Sequence, residues 1–271
     1  ENDTSQKLAA KTWRYELFYW DYVIGLLLFS LLSAFTLGSF GTEGRSFLDD
    51  LMQADGRNLF SAFLGGVVFN ASNILLAAAV ALCGMSVAFP VGVGLALVLG
   101  VLINYFGAAK GDPLFIFLGV ALIAAAIVMN GLAYRMARTG KRKLTAKGLL
   151  ISVAAGTIMA FFYRFVASSM DLDSFTAPAA GKMTPYTAVV VFATGVFVSN
   201  FLFNTIAMKC PVEGTPVRPS EYFGGTFRTH LVGMLGGAIW CLGESFSMIA
   251  SGKAVAAISY GLGHGATLVS A

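Results

Sequence analysis

The stretch 59–106 constrains this chain more than any other. It reads LFSAFLGGVVFNASNILLAAAVALCGMSVAFPVGVGLALVLGVLINYF, almost wholly apolar, with only Cys83-Gly84 as a turn. A membrane helix needs about 20 such residues, so the stretch is long enough to cross a bilayer twice. Lipid offers no partner to an unpaired backbone group, so a spanning segment is either a helix or a strand of a closed barrel. Long runs, not ten-residue alternating segments, carry the signal here, and they select an all-α integral membrane protein. The charge content agrees: 12% of residues are charged and 57% hydrophobic, against about 25% charged in a soluble domain.

Eight apolar runs are predicted in order: 18–40, the two halves of 59–106, 113–134, 148–166, 185–208, 229–250 and 254–271. Trp13, Tyr15, Tyr19, Trp20 and Tyr22 crowd the entry to the first run as an interfacial aromatic belt. Pro113 is a good first helical position. Alternating crossings give two faces. Lys7, Lys11, Arg14, Arg135, Arg138, Lys141, Arg142, Lys143, Lys147, Lys209, Arg218 and Arg228 fall on one; Arg45, Arg57, Lys110, Lys182 and Lys253 fall on the other. The positive-inside rule puts the first face in the cytoplasm, which predicts a multi-pass protein of the inner (plasma) membrane. The net charge of +4 is then a matter of topology, and no nucleic-acid partner is expected. Cys83, Cys210 and Cys241 have no spacing of a metal site or disulfide framework. No nucleophile, metal cluster or acid pair assembles, so an enzyme is not expected.

The hairpin at 59–106 also returns in altered form. Leu64-Gly65-Gly66-Val67-Val68-Phe69 is echoed by Leu235-Gly236-Gly237-Ala238-Ile239-Trp240. Ala88-Phe89, Gly92-Val93-Gly94 and Leu99 are echoed by Ala257-Ile258, Gly261-Leu262-Gly263 and Leu268. The second run crosses one way and its echo, the seventh, the other. That predicts an inverted-topology repeat, the usual architecture of a secondary transporter. Inversion needs an odd number of helices per half. The pairing therefore predicts a five-plus-five parent, with 1–139 as a first half lacking its first helix and 140–271 as a second half lacking its last.

At this point the chain resembles a known family. The segment LGGVVFNASNILLAAAVALCGMSVAFPVGVGLALVLGVLINYF is similar to the third and fourth helices of the ureide permeases and their bacterial relatives. GGAIWCLGESFSMIASGKAVAAISYGLGHGA is similar to the eighth and ninth, and WRYELFYWDYVIG to the second. These families sit with the glucose/ribose porters in the drug/metabolite transporter superfamily. The resemblance implies a ten-helix bundle of two inverted halves around a central substrate cavity. It also implies uptake of small polar solutes, often with protons. Plant ureide permeases carry a phosphate-loop-like motif in a long central cytosolic segment. Here Thr139-Gly140-Lys141-Arg142 lacks the upstream Gly and the Ser/Thr of such a loop, so no nucleotide site and no cofactor is expected.

Polar groups at membrane depth are functional candidates by their cost. Glu244, roughly 15 residues into the seventh run, suits a coupling proton or a substrate donor; its alternative is a partner for a basic residue. Asn73, its repeat equivalent, and Asn70 one turn earlier suit amide or hydroxyl binding, or interhelical bonding. His264 and Tyr260 share a helix face and suit proton relay or substrate contact. Trp240 suits stacking on a flat solute or sugar, while its echo Phe69 reads as ordinary core. Asp21 is either an interfacial acid or a coupling acid. Arg164 near the end of the fifth run reads as structural, and Pro90 as a helix break that either borders a site or only permits close packing. The expectation is proton-coupled import (symport) of a ureide, nucleobase or sugar by alternating access, with lipid, protons and a homodimer as partners. Substrate binding falls to Asn70, Asn73, Trp240, Glu244, Tyr260 and His264, and proton coupling to Glu244 and Asp21. Export by the same superfamily and a non-transporting membrane scaffold remain open.

Overall fold

The computed structural model describes residues 13–41, 44–108, 110–137, 145–212 and 214–270. The basic residues Lys7, Lys11, Arg138, Lys141, Arg142 and Lys143, and with them the Thr139–Arg142 tetrapeptide, lie outside the described residues. The architecture is all helical. In chain order the helices are α1 (Tyr15–Phe35), α2 (Phe47–Gln53), α3 (Gly56–Cys83), α4 (Met85–Ala88), α5 (Gly94–Ala108), α6 (Pro113–Ala137), α7 (Ala146–Ser169), α8 (Pro185–Lys209), α9 (Phe227–Ala254) and α10 (Ala256–Ser270).

The long apolar hairpin forms as its sequence requires. Helix α3 stops at Cys83, and Gly84 turns the chain at φ +80°, where a side chain is disfavoured. Pro90 cannot supply the N–H of a regular turn. The chain passes it through a π-helical segment, Phe89–Val93, that leads straight into α5. Helices α6 and α8 begin on the prolines Pro113 and Pro185. Thr145 and Thr226 cap α7 and α9 by accepting from the amides of Gly148 and Thr229.

Among the described residues, six helices are long and apolar enough to cross a membrane: Tyr15–Phe35, Gly56–Cys83, Phe89–Gly107, Ala146–Ser169, Pro185–Lys209 and Phe227–Ala254. The fourth and eighth predicted runs also fold as helices, α6 over 25 residues and α10 over 15. Leu114, Phe115, Leu118, Leu122 and Val128 on α6 are exposed, as on a surface that meets lipid.

Neighbouring contacts close the helices into a ring, in the order α1, α8, α3, α7, α5, α10, α9 and back to α1, with α6 outside against α5. Two crossings in it are close in the same way, alongside the 2.2 Å that a Cβ on Gly156 of α7 would leave to the Gly92 carbonyl oxygen. A Cβ on Gly66 of α3 would lie 2.1 Å from the Phe192 carbonyl oxygen of α8, and one on Gly195 would lie 2.2 Å from that of Phe63. A Cβ on Gly237 of α9 would lie 1.9 Å from the Tyr22 carbonyl oxygen of α1, and one on Gly25 would lie 2.0 Å from that of Met234. In all four helices the contacting carbonyl precedes the glycine by three residues, so both crossings share one register.

The two ends of the bundle differ. At the Arg45 end, α2 fills a stretch expected to be loop, and it binds the α7–α8 connection. The buried Asp50 carboxylate accepts from Arg45 at 3.0 Å and from the Thr184 amide at 2.8 Å. Gln53 accepts from the Gly181 amide at 2.8 Å and donates to the Lys182 carbonyl at 2.8 Å. Asn58 donates to the Gly181 carbonyl at 2.7 Å. At the Arg14 end, the α8–α9 connection lies on α1 through a small cluster of Leu17, Met208 and Val217.

Gly66→Ala and Gly237→Ala are each expected to destabilise the bundle by about 1–3 kcal/mol, since the added methyl meets backbone. Gly243→Ala on α9, with no atom within 4 Å, is expected to be neutral or slightly stabilising through helix propensity. Thermal unfolding in detergent reads all three, and equal melting points would mean that the crossings are not as close as described.

Candidate functional site

The ring of helices is filled at its middle by aromatic side chains. Phe69 of α3 meets Trp240 of α9 at 4.4 Å between ring centroids, Phe162 of α7 at 5.2 Å and Phe192 of α8 at 5.5 Å. Phe192 stacks on Trp240 at 6.0 Å. From α10, Tyr260 and His264 stack on each other at 4.1 Å, and both approach Phe162. Phe69, which reads in sequence as ordinary core, is therefore both core and the hub of this cluster, in contact with Trp240. Such tilted and edge contacts suit aromatic quadrupoles, and they leave the centre closed by side chains.

Polar groups flank the rings on both sides. Toward the Arg45 end, Glu244 stands one turn past Trp240, 7% exposed. Its Oε1 is buried without a hydrogen-bond partner, and the carboxylate forms no ion pair among the described residues. Hydroxyls gather in the same half: Tyr163 donates to the Ser247 carbonyl at 3.0 Å and Ser259 to the same carbonyl at 2.6 Å. Tyr260 donates to the Ala96 carbonyl at 3.0 Å, and His264 Nδ1 lies 3.2 Å from the Tyr260 carbonyl.

Toward the Arg14 end one group of polar side chains is saturated. Tyr19 of α1 donates to Asn70 Oδ1 at 2.9 Å and accepts from Asn73 Nδ2 at 3.0 Å. Asn70 Nδ2 donates to Ser199 Oγ at 2.9 Å and to the Val196 carbonyl at 3.2 Å. Asn70 thus ties α1, α3 and α8 together with its amide fully used. Asn200 of α8 is the opposite case: it is 0% exposed, and both of its amide atoms lack partners. Buried polar groups are rarely left so, and they mark a place for water or solute.

Of the expected residues, the fold brings Trp240, Glu244, Tyr260 and His264 to one region. Asn70 and Asn73 lie on the other side of the rings. Asp21 is neither there nor at an exposed interface. It is fully buried near the Arg14 end, bonded to Tyr222 and His230, two residues that no sequence pattern singled out. Arg164 donates to the Gly107 carbonyl at 2.8 Å, a helix-end contact. Among the described residues no group of three His, Cys, Asp or Glu could hold a metal ion.

Two cavities lie at opposite ends of the bundle. One of about 610 Å³ at the Arg14 end is lined mainly by α3 and α8, from Ala71 to Ala81 and from Phe203 to Ala207, with Arg14, Tyr15 and Glu16 at its rim. The other, of about 400 Å³, lies among Leu37, Arg45, Phe175, Tyr186 and Ile249 at the Arg45 end.

Residues 18–147 match the family model described as Ureide permease. The chain is 23% identical over 226 residues to Ureide permease 3 of Arabidopsis thaliana, covering 73% of this chain and 65% of that one. It is 31% identical over 121 residues to Ureide permease 2 of the same plant, covering 43% and 30%, and 23% identical over 252 residues to Ureide permease 1. It therefore spans no more than 65% of the length of these relatives. No solved structure matches it.

Asn70→Ala is expected to lower stability by about 1–3 kcal/mol, because it strips partners from groups that stay buried. Asn73→Ala is expected to cost less, since Tyr19 keeps Asn70 as acceptor. Denaturant or thermal unfolding of the two variants tests the order.

Proposed function

Because residues 18–147 match the ureide permease family, we propose that this multi-pass membrane protein is a proton-coupled secondary transporter that imports a small polar metabolite, a ureide before a nucleobase or sugar. The relationship is to permeases, not to an enzyme family. One observation carries the reading: Glu244 offers a buried oxygen with no hydrogen-bond partner beside a cluster of stacked aromatic rings. An unpaired carboxylate at membrane depth is expensive. A bound proton relieves that cost, and so do the N–H donors of a ureide or nucleobase. Trp240 and Tyr260 supply faces on which a flat, conjugated solute stacks. His264, stacked on Tyr260, supplies a second titratable group within the same region.

The two close crossings support transport by alternating access. Gly66 and Gly237, which the repeated sequence pairs, each meet a backbone carbonyl of a neighbouring helix in the same register. Helix α3 with α8, and α9 with α1, are then equivalent rigid pairs of two inverted halves. The aromatic rings between them form the barrier, and the cavities at the two ends are the approaches. The Arg14 end, with the greater share of basic residues, faces the cytoplasm.

Glu244→Gln is expected to keep solute binding and to lose proton-driven accumulation. Purified protein should gain thermal stability with allantoin or uracil, and the variant should retain that gain. In proteoliposomes under an imposed pH gradient, wild type should accumulate the same solute and the variant should only equilibrate it. Unchanged accumulation by the variant would overturn the coupling role. Stabilisation by glucose or ribose alone would move the substrate to sugars.

A further inference from the structure

Asp21 is fully buried, and among the described residues neither Lys nor Arg pairs with it. Two donors reach it from different parts of the chain. The Tyr222 hydroxyl donates to Oδ1 at 2.5 Å, and His230 Nδ1 lies 2.8 and 3.0 Å from the two carboxylate oxygens. Tyr222 belongs to the 3-10 segment Pro219–Gly224 in the connection from α8 to α9, and His230 to the first turn of α9. Their rings are 4.6 Å apart, and Trp13 packs edge-on against His230 at 5.6 Å. Asp21 itself sits where α1 meets α9, with space for only a glycine at Gly233. One carboxylate thus holds α1, the connection and α9 together.

The opposite end is closed in a different way. There the bonds between α2 and the α7–α8 connection run largely to backbone amides and carbonyls, spread over Gly181, Lys182 and Thr184, and no single proton undoes them. At the Arg14 end the bonds from Tyr222 and His230 converge on one acid, and Arg14 separately donates to the Thr215 carbonyl at 2.9 Å. The same connection also supplies Cys210, Pro211, Val212 and Gly214 to the wall of the 610 Å³ cavity.

We propose that the segment Pro219–Gly224 is a strap across the Arg14 end of the bundle, held shut by the Asp21 carboxylate and released when that carboxylate takes up a proton. Hydrogen bonds to an ionised acceptor are roughly twice as strong as neutral ones. Protonation therefore weakens both the Tyr222 and the His230 bond at once. Tyr222 remains a donor throughout, because burial and then the Asp21 carboxylate hold its phenol above the usual range. His230 Nδ1 faces both carboxylate oxygens, where an N–H on it donates to the acid. The other charged groups of these elements are engaged elsewhere or stand apart. Glu16 of α1 is paired with Arg14, Glu221 of the strap accepts from the Arg218 amide, and Arg228 of α9 forms no ion pair with Asp21. Release lifts the connection from the Leu17, Met208 and Val217 cluster and widens the cavity mouth. The proposal rests on the proton-coupled reading in one respect: the proton that frees the strap is one that transport moves.

Hydrogen–deuterium exchange of the purified protein in detergent, followed by mass spectrometry and corrected for intrinsic rates, tests it without any solute. Amides of 217–226 are expected to exchange about tenfold faster after acidification, as the loss of one charge-assisted bond implies. In Asp21→Asn they are expected to exchange fast at every pH. Amides of 181–184, at the far end, should stay protected and report that the bundle is folded. Wild-type protection that does not change with pH would overturn the proposal, and so would protection of 217–226 in a folded Asp21→Asn. If that variant also loses protection at 181–184, Tyr222→Phe decides, with faster exchange at 217–226 in support and unchanged exchange against. Because exchange needs no transport, a failure of the Glu244 experiment leaves this outcome readable, and the reverse holds too.

Discussion

Backbone touching backbone is the contact on which this bundle depends. Helices in lipid gain little from apolar burial alone, since the tails around them are as apolar as their own side chains. Close approach, and the dispersion and dipole contacts that come with it, must take its place. Gly66 against Phe192, Gly195 against Phe63, Gly25 against Met234 and Gly237 against Tyr22 supply that approach. They fix the lateral positions of α1, α3, α8 and α9, and so the distance across the ring at which Phe69 and Trp240 meet.

What fills the middle then follows from spacing. Four helices brought this close leave room for rings but not for a wide channel, and Phe69, Phe162, Phe192 and Trp240 occupy it in mutual contact. Polar groups are displaced to either side. On one side Tyr19, Asn70, Asn73 and Ser199 saturate each other, while Asn200 keeps both amide atoms without partners. On the other, Glu244 keeps an oxygen in reserve. Partners, not residue type or depth, separate the structural network from the groups that could meet a solute.

Much of this was legible in the sequence because it is local. The Cys83-Gly84 turn, the starts at Pro113 and Pro185, and the irregular segment at Pro90 each follow from the conformational limits of one residue. Less local features were hidden. Helix α2 lies in a stretch rich in acids and glycine, and its folding depends on a connection more than a hundred residues away. Asn70 and Asn200 look alike in sequence, and only their neighbours make one saturated and the other bare. Tyr222 and His230 sit in unremarkable surroundings, and nothing in their spacing points to Asp21. The helical runs at α6 and α10 were visible in their apolar composition.

The binding of α2 to the α7–α8 connection has a consequence for how the chain is made. Asp50 and the Thr184 amide that it accepts from are separated by 134 positions, and Arg45 and the Lys182 carbonyl by 137. At synthesis rates of about 5–20 residues per second, α2 leaves the ribosome on the order of ten seconds before its partner exists. During that interval the Asp50 carboxylate has Arg45 beside it but lacks the Thr184 amide, and it remains hydrated. The α1–α3 connection must therefore wait in water at the membrane surface, and it becomes dry only when α7 and α8 are both inserted. Burial of a single acid thus serves as a record that the second half of the bundle has arrived.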